Sequence, residues 1–173
     1  DRNLLEERLA RAAAEPDLVG TMGVLQVPAG SINVVPGRCD FSLDIRATTD
    51  AVRDACVADV LNELREIAAR RGLSHTLDET VRASAAPCDA QWRTRWEQAV
   101  ESLGLPVHRL PSGAGHDAMK IHEALPQAML FVRGGNAGIS HNPLETVSAD
   151  DAQLCVEAFM QLLHQLSAAP TDA

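Results

Sequence analysis

Two short runs hold the residues best suited to chemistry: Ser112-Gly113-Ala114-Gly115-His116-Asp117-Ala118 and Ser140-His141-Asn142-Pro143-Leu144-Glu145. Each sets a histidine in a loop rich in Gly or closed by Pro, where a side chain can face a ligand rather than a core. Glycines at 113 and 115 let a ligand approach the backbone and leave amide N–H groups free to meet it. A helix starting near Asp117 would add a partial positive charge at the same place. His116 could then donate to a developing oxyanion or move a proton. It could equally be a polar cap on a plain turn. Ser112, His116 and Asp117 do not make a serine triad, because neighbouring His and Asp side chains diverge on a helix.

His141 follows a predicted strand and precedes a turn, a place where metal ligands are often found. No H-x-H, H-x-x-E-H or H-E-x-x-H pattern lies nearby. A metal at His141 would therefore draw its other ligands from elsewhere. Arg46 ends an alternating segment just after Asp44, and a guanidinium at a strand end suits two-point recognition of a carboxylate. The plainer alternative is a surface pair with Asp44 or Asp40. Asn33 sits in a turn-rich loop, where Asn often only closes an Asx turn. His75, His108, His122 and His164 join no constellation.

The elements that must position these residues follow from periodicity. Leu4 to Ala14 reads as a helix and Thr21 to Val27 as a strand. A long loop from Pro28 to Gly37 follows. Cys39, Phe41, Leu43 and Ile45 then alternate with polar neighbours, as in a half-buried strand antiparallel to the first. Asp50 is placed to cap a helix with Val52, Cys56, Val60, Leu64 and Ile67 along one side, and Gly72 to stop it. Ser74 to Val81 reads as a further strand. This half follows a ferredoxin-like βαββαβ order without its first strand. The composition shift at Ala83 to Pro87 suggests a boundary, giving parts 1–86 and 87–173. In the second part Asp89 caps a helix whose Trp92, Trp96, Val100 and Leu103 form a core stripe. Met129 to Val132 reads as a strand buried on both faces. Ser148 and Asp151 open a last helix with Leu154, Phe159, Leu162, Leu163 and Leu166 inward. The fold class is α+β or α/β.

Composition narrows the partners. A net charge of −9 over 173 residues argues against nucleic acid, whose phosphates need clustered Lys and Arg. No apolar run is long enough to span a membrane, and no signal peptide is read. The four cysteines, Cys39, Cys56, Cys88 and Cys155, form no C-x-x-C pair, so free thiols in a reducing cytoplasm are expected.

Taken in order, Gly30 to Gly37, Asp44-Ile45-Arg46, Ser112 to Ala118 and Ser140 to Glu145 resemble the N-carbamoyl-L-amino-acid hydrolases. Their relatives are allantoate amidohydrolase and β-ureidopropionase, in the aminoacylase and carboxypeptidase superfamily of dinuclear metallohydrolases. The resemblance implies an incomplete ferredoxin-like lid followed by the C-terminal part of an α/β catalytic domain. It implies that His141 is a metal ligand, with zinc or manganese as the metal. Asn33 and Arg46 would hold the substrate's carboxylate. Gly115 and His116 would contact the substrate and polarise the scissile group, making His116 the catalytic candidate. The substrate would be a small carbamoyl or ureido amino-acid derivative, cleaved at a C–N bond by metal-bound water with a glutamate base. A homodimer would form through the lid.

The remaining ligands, the glutamate base, the first lid strand and a lid histidine fall upstream of the matching segment in that family. The expectation is a piece of a longer enzyme, inactive alone and prone to self-association through exposed edges and apolar faces. A non-catalytic lid or dimerisation module, or an aminoacylase or peptidase of the same superfamily, are the competing readings.

Overall fold

The computed structural model describes residues 18–168, so the expected helix Leu4 to Ala14 lies outside the described residues. Two compact units emerge: one running to Pro87 and joined by Pro111–Gly115, the other made of Cys88–Leu110 and His116 onward.

In the first unit the two expected strands each break in two. Strands β1 (Leu18–Thr21) and β4 (Asp44–Ala47) pair antiparallel, as do β2 (Leu25–Gln26) and β3 (Asp40–Phe41). The break has a local cause. The Ser42 hydroxyl accepts the Val24 N–H at 3.0 Å, and the Ser42 N–H bonds the Val24 carbonyl at 3.0 Å. A side chain thus stands in for one rung of the ladder. The alternation survives the break, since Phe41, Leu43, Ile45 and Ala47 all pack on the cluster of Leu18, Cys56 and Val60. Cys39, read as continuing that inward row, is exposed.

Helix α1 (Asp50–Arg71) supplies Cys56 and Val60 to this cluster and also buries Ile67. Its cap is Thr49, whose hydroxyl accepts the Val52 N–H, rather than the expected Asp50. Asp50 instead pairs with Arg53 at 2.7 Å and accepts the Ala85 N–H at 2.8 Å. Gly72 ends the helix in the left-handed conformation, with φ of 64°, which its missing Cβ permits. The strand expected over Ser74 to Val81 does not form a ladder. Strand propensity cannot act without a neighbouring edge to pair with. Just past the segment, Arg82 links it to α1 by pairing with both Glu79 and Asp54. Among the described residues there are two two-stranded ladders, not the full sheet of a ferredoxin-like lid.

The second unit is built on two helices. Asp89 caps α2 (Ala90–Ser102) by accepting the Trp92 N–H at 2.9 Å. Trp96 and Ala99 pack with Ala158 and Leu162 of α4 (Ala149–Ala168), with Trp92, Leu103 and Leu166 at the margin. The Trp stripe is therefore core. Trp96 meets the Phe159 ring edge-on, with centroids 4.7 Å apart, a favoured aromatic geometry. Two expectations fail here. Met129 to Val132 forms no ladder: Leu130 packs on the core, while Phe131 is 49% exposed. Leu163 was expected inward, but with Val156 and Met160 it lies exposed on α4, while Phe159, about half exposed, still packs edge-on against Trp96. A helical stripe is buried only where a partner covers it.

Ser148 and Asp151 form the expected capping arrangement: the Asp151 N–H donates to the Ser148 hydroxyl, which donates back to the carboxylate. That bond, with Arg133 beside it, holds the Asp151 carboxyl below its usual range. The resulting stability is complete above about pH 4, where an unfolded Asp is ionised. It fades as pH falls through the lower folded value. Asp151→Asn should lower Tm at pH 7, and thermal melts should show that gap closing below about pH 4. Ser148→Ala should cost about 1 kcal/mol.

Candidate functional site

Arg46 lies on the exposed face of β4, flanked by Ile45 and Ala47 on the packed face. The two-residue period of a strand puts Asp44 beside it. The side chains meet as a fork, with Nε donating to Oδ1 at 2.8 Å and Nη2 to Oδ2 at 2.6 Å. This hydrogen bonding, with the attraction of opposite charges, lowers the Asp44 carboxyl's pKa and raises that of the guanidinium. So the surface pair foreseen for Arg46 forms with Asp44, while Asp40 pairs with Arg38. Sequence reasoning missed a third bond: Nη1 donates 2.9 Å to the carbonyl of Gly113, 67 residues further along. Two of the singled-out motifs thus meet inside the first unit, and no local signal in either could have told of the other.

Asn33 is exposed in the loop after β2, where its Oδ1 accepts the Ser31 hydroxyl at 3.2 Å. Bonds from Gly30 to Val27 and from Val34 to Ser31 fold this loop into turns. Gly115 is exposed in the segment that groups with the first unit. Among the described residues the left-handed glycines are Gly72, Gly104 and Gly138. Gly113 and Gly115 therefore do not serve a turn that demands positive φ, and a Cβ added at Gly113 would meet open space.

In the second unit His116 acts as a cap. Its Nδ1 accepts the Ala118 N–H at 3.0 Å at the start of the four-residue α3 (Ala118–Ile121). An accepting Nδ1 places the proton of a neutral imidazole on Nε2. His116 is thus a polar cap and, through the same bond, a donor at its far nitrogen. Asp117, expected at the helix start, stands at the cap position without a side-chain bond.

His141 has φ of 56°, uncommon for a residue with a side chain. Its N–H donates to the Glu145 carboxylate at 2.8 Å, and the Glu145 N–H closes the turn on the Asn142 carbonyl at 2.9 Å. The ring's Nδ1 lies 3.2 Å from the Ser140 hydroxyl. When Nδ1–H donates to that hydroxyl, the Nε2 lone pair is left for a cation. The donor set nonetheless stops short of a metal site: among the described residues no three His, Cys, Asp or Glu side chains group to hold an ion.

The profile of the peptidase family M20/M25/M40 matches residues 5–165. The chain belongs to that family. Its M20 relatives include N-carbamoyl-L-amino acid amidohydrolase of Geobacillus stearothermophilus, 34% identical over 149 residues, covering 86% of this chain and 36% of the relative. Allantoate amidohydrolase of Bacillus subtilis strain 168 is 34% identical over 166 residues, covering 95% of this chain and 40% of the relative. In three dimensions the M20 chain is similar to an amidase of the hydantoinase/carbamoylase family from Burkholderia multivorans. That match has a TM-score of 0.90 at 28% identity and covers 98% of this chain and 42% of the other. The chain thus spans about two-fifths of the length of such relatives. M20 proteins are generally metallohydrolases. Among the described residues, no helix of the M20 chain is long and apolar enough to cross a membrane.

His116→Asn separates the two roles of that ring. The amide oxygen can replace Nδ1 as cap, but the distal donor is lost. In the complete polypeptide carrying this sequence, the catalytic role that the resemblance implies for His116 predicts a kcat lower by about 100-fold or more, the usual effect of losing one oxyanion donor. Tm should be unchanged. A variant with full activity would leave His116 as a cap alone.

Proposed function

We propose that this sequence is the C-terminal part of a metal-dependent amidohydrolase that cleaves a carbamoyl or ureido C–N bond of a small amino-acid derivative. The observation that carries this reading is the joining of Arg46 to the Ser112–Gly115 loop, in a chain whose relatives include amidohydrolases of N-carbamoyl amino acids and of allantoate. A guanidinium recognises the carboxylate that such substrates share. Arg46 and Asn33 hold that end from a lid formed by residues 1–86. Gly115 and His116 meet the scissile group, the Nε2–H donating to its oxygen as charge develops. His141 contributes one metal ligand from the catalytic part, residues 87–173. The cofactor is zinc or manganese, as the resemblance to the carbamoylases implies, and it would activate water in the complete enzyme.

With one such ligand in place, the 173-residue chain by itself is inactive. The free cysteines fit a cytoplasmic protein. The exposed apolar stripe of α4 fits a chain that self-associates when separated from the surfaces that cover it. The lid is the dimerisation surface.

The purified 173-residue chain should hydrolyse N-carbamoyl-L-amino acids no faster than buffer. It should bind zinc or manganese weakly by isothermal titration. Chelator-sensitive turnover by this chain would overturn the assignment of an incomplete site. Absence of turnover by the complete polypeptide, loaded with metal and offered N-carbamoyl amino acids and allantoate, would overturn the activity.

A further inference from the structure

We propose that Asp44 is a positioning residue for carboxylate recognition: it takes the side edge of the Arg46 guanidinium so that the two N–H groups left free, one on each terminal nitrogen, receive the substrate's carboxylate. This rests on the reading of Arg46 as the carboxylate-binding residue and says how that side chain is aimed.

A count of donors carries the argument. A guanidinium has five N–H groups and no acceptor. Asp44 takes the Nε–H and one Nη2–H, and the Gly113 carbonyl takes one Nη1–H. One N–H on Nη1 and one on Nη2 remain. These terminal nitrogens are the pair that can meet the two oxygens of a carboxylate end-on. The backbone sets up the arrangement. Register with β1 places Asp44 opposite Thr21 and Arg46 opposite Val19. Burial of Ile45 and Ala47 keeps both charged residues on the other face.

Two opposing effects decide the sign of a test. Asp44 repels an arriving anion, but both side chains are about half exposed, so solvent screens that repulsion. Against this, an arginine without Asp44 must give up its rotamer freedom when the substrate binds, and that freezing weakens affinity. The ordering effect wins, so removing Asp44 weakens binding.

The test uses the complete polypeptide carrying this sequence, with an N-carbamoyl-L-amino acid and its carboxamide counterpart as substrates. In Asp44→Ala, KM for the carboxylate should rise about three- to tenfold, the effect of freezing one long side chain. kcat should hold within about twofold and KM for the carboxamide should not move. Asp44→Asn, which keeps one acceptor oxygen, should fall between Asp44→Ala and the native protein, and it serves if the alanine variant misfolds. Arg46→Ala should abolish the preference for carboxylate over carboxamide. If Arg46→Ala loses that preference while the Asp44 variants keep or lower KM, the inference is overturned and the reading of Arg46 stands. A preference retained in Arg46→Ala overturns both.

Discussion

The burial of Ile45 and Ala47 against Leu18, Cys56 and Val60 is the constraint on which the first unit depends. A strand alternates its side chains, so burying one row sends the other outward. Asp44 and Arg46 share a face because their neighbours belong to the core. Slipping the β1–β4 register by one residue would bury both charges and expose the apolar row. The core packing and the aim of the guanidinium are thus one requirement. Helix α1 enforces it, since Cys56 and Val60 are the surface on which the strand closes.

The second unit rests on a different kind of contact. Helices α2 and α4 meet through Trp96, Ala99, Ala158 and Leu162. Two alanines at this seam let the helices approach closely, and one Trp fills the remaining space. The loops that carry His116 and His141 are held by local hydrogen bonds: the ring of His116 on the Ala118 amide, and the Glu145 carboxylate on the His141 amide. A left-handed histidine persists only when its surroundings define it, and at His141 the turn from Asn142 to Glu145 does so.

Much of this was legible in the sequence. The periodicity of α1 and α2, the presence of α4, the stop at Gly72 and the caps at Asp89 and Ser148 were all read correctly, because these signals act within a turn or two of chain. Most failures share another cause. Ser74 to Val81 and Met129 to Val132 have strand-forming sequences but form no ladder among the described residues, and Leu163 of α4 lies exposed. Composition gives a segment a wish to be covered; only neighbouring chain can cover it. Two local readings also failed: the cap expected of Asp50 is Thr49, and Cys39 is exposed.

The candidate site divides along the same line. Its residue types were set by sequence alone: histidines in glycine- and proline-bounded loops, an arginine two places after an aspartate, and the order of motifs shared with a hydrolase family. The tertiary structure decided how two of those motifs join. Asp44 could be foreseen as a partner for Arg46, because the strand period brings them together over a few ångströms. The Gly113 carbonyl could not, because a hydrogen bond across 67 residues depends on where the whole chain between them turns. Local chemistry is written in neighbouring residues, whereas contact between distant ones is fixed only when the folded backbone brings donor and acceptor together.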